Sequence, residues 1–311
     1  MKRVFIIAAS IVMMIAGVTA KGQTVSKTAD FSSFNAIEAT EDFEITLKHA
    51  ATSRVDWTVD NGLEDYVETY VKNKTLYLSF NKKALTKEIK KRYKGKDAPK
   101  PVLKVTVQIP TIEVIKLKDN VVLDASGQSF SFGEFSLSAS GKSRVNNLKI
   151  KAGKTITLNV SGNARVNANV TCENLIANLD KDGVLDLTQH ATKLNLVTDG
   201  SSSVNISGNA GKIAIENTGK SKLNFLSGKA NSLTTLSSGS SVVNALDFPI
   251  SVASLVMNGS SIHIKAEKTL KLEIEGEAVV EFAGKPALDV VSVVESSVYP
   301  YVPEEKETVS K

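Results

Sequence analysis

One cysteine, three histidines and one tryptophan in 311 residues leave little equipment for metal, redox or stacking chemistry. Cys172 has no second thiol to pair with, so an internal disulfide is excluded; a lone thiol inside a patterned stretch reads as a small buried hydrophobe. His49, His190 and His263 are scattered, and none has a second ligand at metal-site spacing. Aromatic residues make up only 6% of the chain, too few to build a platform on which bases or sugars stack. No Gly-x-Ser-x-Gly elbow and no phosphate-cradling glycine loop occurs. The sequence therefore implies no cofactor and no metal, and nucleic acid is the poorest partner.

Long apolar runs are also missing, with one exception at the start. Lys2 and Arg3 precede an apolar stretch from Val4 to Val18, followed by the small residues Val18-Thr19-Ala20. That order of regions predicts a secretory signal over residues 1–22, too short to serve as a membrane span. No cysteine lies near the cut, so a lipid-modified terminus is not expected. No second stretch of about 20 apolar residues follows, and the mature chain is expected to have no transmembrane segment.

What the chain has in abundance is a repeat. Phe135-Ser-Leu-Ser-Ala-Ser-Gly141-Lys-Ser-Arg-Val145-Asn146 returns as Ile156-Thr-Leu-Asn-Val-Ser-Gly162-Asn-Ala-Arg-Val166-Asn167. Further copies centre on Gly183, Gly200, Gly219, Gly239, Gly259 and Gly276, at successive spacings of 21, 21, 17, 19, 20, 20 and 17. Apolar and polar residues alternate up to each glycine, the mark of a strand that buries one face. The second position after the glycine is small (Ser143, Ala164, Ser202, Ser221, Ser241), and the fourth is apolar. A unit of this length is too short for a propeller blade of about 40 residues, and it carries no helical period. It predicts an all-β chain whose repeats, over 111–285, form a right-handed parallel β-helix with the eight glycines as structural corners. Around Gly259 the alternation slips by one residue, which predicts a bulge or a corner one residue shorter.

Residues 23–110 read as strand-rich but not repeating, a region continuous with the solenoid that caps strand edges otherwise open to other chains. The runs Phe34-Asn-Ala-Ile37, Asp42-Phe-Glu-Ile-Thr-Leu47, Val55-Asp-Trp-Thr-Val59, Thr75-Leu-Tyr-Leu-Ser79 and Val105-Thr-Val-Gln-Ile-Pro110 lie here. In this order, followed by the Gly-x-Ser/Ala-x-Val coils, they resemble the bacterial "putative auto-transporter adhesin head GIN domain" over roughly residues 30–285. The resemblance implies an adhesin-like β-helical protein of the cell envelope, common in Bacteroidetes-type bacteria, and brings no catalytic residues. It places the protein in the periplasm, on the outer surface or outside a Gram-negative cell. Residues 286–311 are read as a C-terminal cap and a disordered tail, where Pro300 and Pro303 precede Glu304-Glu-Lys-Glu.

Charge is concentrated in one place. Residues 82–101 hold nine basic side chains against Glu88 and Asp97, a net of +7 in a chain whose total is +5. Without Lys2 and Arg3, everything outside this insertion sums to about −4. Lys83, Lys87, Lys90, Lys91, Arg92, Lys94 and Lys96 form a candidate patch for an anionic ligand such as lipopolysaccharide phosphate or an acidic glycan. The competing reading is a solvated excursion with a short helix that buries Leu85, Ile89 and Tyr93.

β-Helices also house polysaccharide lyases and hydrolases, which need clustered acids for a cation or for paired carboxylate chemistry. The candidates are Asp180, Asp182 and Asp186, with Asp199 one repeat on, and a second row at Glu273, Glu275, Glu277 and Glu281. Both are more simply the wet side of amphipathic strands. The sequence thus favours a non-catalytic adhesin-like or scaffold module that meets a glycan or another envelope protein, with self-association open. The alternative is a polysaccharide-active enzyme built around Asp182.

Overall fold

Period-two alternation becomes parallel strands in the computed structural model, which describes residues 24–31 and 33–303. The expected signal segment and residues 304–311 lie outside the described residues. With 66% strand and 3% helix, the chain is a β-solenoid of about ten turns whose coils take about 19 residues. It divides into two compact units: Met1–Ile176 with Asp182–Leu187, and Ala177–Lys181 with Thr188–Lys311.

In the first unit, strands of successive coils stack in register. Leu76, Ile37, Ile115, Leu137 and Leu158 occupy one inward column, and each is fully buried. Each such side chain contributes about 1.5–3 kcal/mol by leaving water. A parallel column lets identical positions repeat at roughly 4.8 Å, so one apolar choice serves every coil. The column also shows that the region before the repeats is not merely a cap. Ala36–Ala39 pairs in parallel with Val114–Leu117 on one side and with Thr75–Phe80 on the other. Glu44–His49 likewise lies between Val122–Asp124 and Leu103–Ile109. The terminal coil is thus Thr75–Phe80 plus Leu103–Ile109, and the next is Ala36–Ala39 plus Glu44–His49, out of chain order.

Antiparallel strands finish that end. Val67–Lys72 lies along Thr75–Phe80, Arg54–Asp60 along Leu103–Ile109, and Thr24–Asp30 along Arg54–Asp60. Antiparallel partners satisfy the ladder groups that a parallel coil would leave open.

In the second unit the long strands Ser203–Asn217, Lys222–Ser238, Val242–Asn258 and Ser261–Glu275 run parallel. Their inward columns are Ile213, Leu233, Ala253 and Leu270, and Val204, Leu223, Val243, Ile262 and Val280. Beneath the corners runs a buried polar strip. Thr198 donates to Asn217 Oδ1 at 2.9 Å, and the hydroxyls of Ser202 and Ser221 are 3.1 Å apart, as those of Ser237 and Ser241 are 3.0 Å apart. The small residue two places after the glycine therefore faces inward. Where it is serine, its hydroxyl bonds the corner's own backbone, as in Ser143, Ser221 and Ser241, or the stacked serine, as between Ser202 and Ser221.

The corners hold a left-handed residue, with one displacement from the sequence reading. Gly141, Gly162, Gly200, Gly219, Gly239, Gly259 and Gly276 all have φ between 67° and 79°. In the coil read as centred on Gly183, the left-handed residue is Lys181, at φ 60°, while Gly183 is buried two positions on. A Cβ on Gly200 would meet the Lys181 backbone at 2.8 Å, as one on Gly219 would meet Gly200 at 2.6 Å, so Lys181 belongs to the corner column. With Lys181 in place, the spacings 21 and 17 around Gly183 become 19 and 19. The slip at Gly259 is a shorter corner: two residues lie between Asn258 and Ser261, where three separate Ser238 from Val242.

Candidate functional site

Ordinary corners in the first unit are short: four residues separate Ala39 from Glu44. In the terminal coil the same position, between Phe80 and Leu103, is filled by the basic insertion. The extra chain leaves the stack at a corner and returns to it, so both flanking strands keep their register.

The insertion is anchored by a few contacts. Lys82 reaches the corner of the adjoining coil, with Nζ 2.5 Å from Glu41 Oε2 and 2.7 Å from Asp42 Oδ2. A helix follows over Lys87–Arg92, capped by the Thr86 hydroxyl, which accepts from the Ile89 N–H at 3.3 Å. Lys90, Lys91 and Arg92 fill its last turn, where cations suit the carbonyl end. Leu85, Ile89 and Tyr93 are each half-buried, at the i, i+4, i+8 spacing the sequence suggested. Tyr93 donates to Asp60 Oδ2 at 2.9 Å, and the Val102 N–H donates to the same oxygen at 3.0 Å. Burial, together with the bond to Asp60 and its charge, holds the Tyr93 hydroxyl above its ordinary pKa, outweighing the opposing effect of Arg92.

The remaining cations point to water. Lys83, Lys87, Lys90, Lys91, Arg92, Lys94 and Lys96 are exposed, and among the described residues none forms an ion pair. Lys90 Nζ donates to the Lys83 carbonyl at 3.1 Å, and the Arg92 guanidinium sits 6.0 Å from the Tyr93 ring centre. The structure thus gathers the sequence-derived patch on one excursion and separates Lys82 from it as a tether.

The acidic candidates are exposed, apart from half-buried Glu281. Asp180, Asp182 and Asp186 face solvent, and Asp199 accepts the Thr218 hydroxyl at 2.8 Å. That bond, with the Gly200 N–H, keeps the Asp199 carboxyl below its ordinary pKa. Glu275 accepts from Asn258 Nδ2 at 2.9 Å, and Glu281 lies 2.6 Å from His263 Nδ1, so these two acids are engaged along the stack. Among the described residues no three His, Cys, Asp or Glu are placed to hold a metal ion. Cys172 is buried, and burial pushes its thiol up to about 11. No helix of the described residues is long and apolar enough to cross a membrane.

Sequence reasoning missed a second glycine column. Gly208 (φ 105°) and Gly228 (φ 116°) stand in register. A Cβ at Gly208 would sit 1.8 Å from the Gln189 carbonyl oxygen, and one at Gly228 would sit 2.0 Å from that of Gly208. The signal was present as Ser207-Gly208-Asn209 and Ser227-Gly228-Lys229, twenty residues apart.

A stacked parallel coil with a glycine-marked corner defines the chain as a parallel β-solenoid. The family described as "Putative auto-transporter adhesin, head GIN domain" matches residues 33–205 and 146–286, and the chain belongs to that family. Among solved structures, the chain is similar to a "putative adhesin" from Parabacteroides merdae, with 18% identity, a TM-score of 0.54, and 92% of this chain and 99% of that one covered. It is also similar to a "putative lipid binding protein" from Parabacteroides distasonis, with 16% identity, a TM-score of 0.51, and 90% and 97% covered. At these identities the likeness is one of fold. No protein of curated function matches the sequence.

Proposed function

We propose that this protein is an exported, non-catalytic adhesin-like or scaffold module that holds an anionic envelope glycan on its basic insertion. The observation that carries the reading is the exposed cluster of cations that form no ion pair among the described residues, raised on an excursion that replaces a tight corner of the terminal coil. Cations that serve only solubility need no anchored helix, whereas Lys82 and Tyr93 fix this one to the solenoid and Thr86 caps it. Phosphate or carboxylate groups repeated along a glycan offer the matching charge. The secretory segment expected over residues 1–22 and the adhesin family support a location where such glycans occur, in the periplasm or at the outer surface.

The test is binding of the full mature chain to purified lipopolysaccharide and to a polyuronate. Affinity is expected to fall steeply as salt rises. Reversing Lys90, Lys91 and Arg92 to Glu should weaken binding at least about tenfold, since surface charges act together on one anionic partner. Binding that ignores both salt and this reversal would remove the insertion as the contact site. A reducing-sugar assay on the same polysaccharides checks the catalytic reading: turnover lost in Asp182→Asn would replace the binding module with an enzyme.

A further inference from the structure

The inward ladder of the second unit ends in the open. Leu270, Leu272 and Ile274 are 0%, 0% and 1% exposed; their register partners in the last coil, Leu288, Val290 and Val293, are 49%, 56% and 40% exposed. The residue types and columns are the same, so the difference is that no described residue stacks on the far side. Of the fourteen large hydrophobic residues exposed among the described residues, eight lie between Leu288 and Val302. A contiguous apolar patch of this kind marks an interaction surface.

The backbone edge is lightly guarded, with one register irregularity where Leu272 and Glu273 face Val290 and Ser292. Ala287–Val293 pairs with Ser261–Glu275 on one side, and Ser297–Pro300 with Val279–Ala283. Native edges are blunted by lysine, proline or inward charge. The edge is bounded by Pro286 and Pro300, and between them it carries only two charges, Asp289 and Glu295, and no lysine.

We propose that this edge is a self-association surface, covered by a second copy of this chain through antiparallel pairing of Ala287–Val293 with its own equivalent. A strand turned about a two-fold axis lies antiparallel to itself, so its donors and acceptors find partners without any other sequence. Charge permits it: pairing centred on Val290 or Val291 sets Asp289 opposite Val291 or Val293, and like charges do not meet. A second copy also brings apolar side chains to the ends of the columns that need them. Residues 304–311 offer little to such columns, with one apolar side chain, Val309, among five charged ones. The inference is independent of the role given to the basic insertion.

Sedimentation of the full mature chain across a wide concentration range is expected to show a monomer–dimer equilibrium. Val290→Lys should weaken it at least about tenfold by placing a charge in the apolar contact. Because Val290 is half-exposed, this variant should keep the parent's circular dichroism and melting. Cysteine placed singly at Val290 or Val291 should cross-link to itself under mild oxidation, since opposed residues of an antiparallel pair have Cα atoms about 4.5–5.5 Å apart. The same change at exposed Thr234, on a central coil, should not. A monomer at every concentration, a dimer indifferent to Val290→Lys, or no self-cross-link at either valine would overturn the proposal. Should Val290→Lys fail to fold, the cross-linking result decides.

Discussion

Tyr93 and Asp60 join the insertion to the antiparallel end of the first unit: one carboxylate oxygen takes the phenol hydroxyl at 2.9 Å and the Val102 N–H at 3.0 Å. The oxygen thus ties the helix and the returning chain to the same strand. Tyr93→Phe keeps the ring's packing and removes only the hydroxyl. Losing a bond worth about 1 kcal/mol should raise local opening about fivefold. Trypsin cleavage within residues 82–101 should quicken by that factor while the global unfolding midpoint stays in place. Unchanged cleavage would mean that packing alone holds the segment.

The second glycine column makes a sharper claim. Gly208→Ala combines a φ of 105° with a Cβ 1.8 Å from a backbone oxygen that cannot swing away. Urea unfolding should show a loss of about 3 kcal/mol or more. Gly133→Ala is the comparison, because its added Cβ meets nothing within 4 Å and its φ is unstrained. It should change stability by less than about 0.5 kcal/mol.

Lys181 carries the opposite expectation. An L-residue held at φ 60° bears strain that glycine relieves, at some cost in chain entropy. Lys181→Gly should therefore stabilise the protein by about 0.5–1 kcal/mol in the same urea assay. Destabilisation would show that the Lys181 side chain contributes a contact of its own.

The Lys82 tether has a pH signature. Burial raises the Asp42 carboxyl, but hydrogen bonds from Lys82 and Asn120 and the charge of Lys82 outweigh it and leave its pKa below 3.8. For Lys82, burial is in turn outweighed by Asp42 and Glu41, and its pKa lies above 10.5. A depressed acid stabilises the fold above its unfolded pKa, and that contribution fades as pH falls through the folded value. A raised amine stabilises below its unfolded pKa and loses the contribution as pH climbs through the folded one. Both partners are substantially exposed, so the bridge is worth about 0.5 kcal/mol or less. The stability difference between the parent and Lys82→Met should be flat through neutral pH and shrink below about pH 3.8 as Asp42 protonates. A difference that persists at lower pH would assign the effect to packing of the lysine stem.

The fold was legible because each coil uses the same two rules, alternation along the strand and a special residue at the corner. Phe135–Ala139 and Thr155–Val160 show both, and they pair residue for residue as the repeat implied. The corner at Lys181 was hidden because a glycine lies two positions away and draws the register to itself. Only the evenness of the spacing gives it away. Ala36–Ala39 escaped because its stacking partners are distant in sequence, where no local period points to them. For the site, the half-buried spacing of Leu85, Ile89 and Tyr93 was readable. That the excursion replaces a corner required knowing that Thr75–Phe80 and Leu103–Ile109 are one coil.

The out-of-order stacking of the first unit bears on how it can fold. Ala36–Ala39 takes its inner neighbour from Val114–Leu117, 78 residues downstream, and its outer one from Thr75–Phe80. A polypeptide emerging amino end first therefore cannot lay these turns down one after another. Its earliest strands cannot gain their inner neighbours until the chain has been delivered past Asp124, and such distant pairings close slowly. Later coils add to neighbours already in place. Assembly should consequently show one slow, long-range step near the start, followed by rapid zippering toward the carboxyl end.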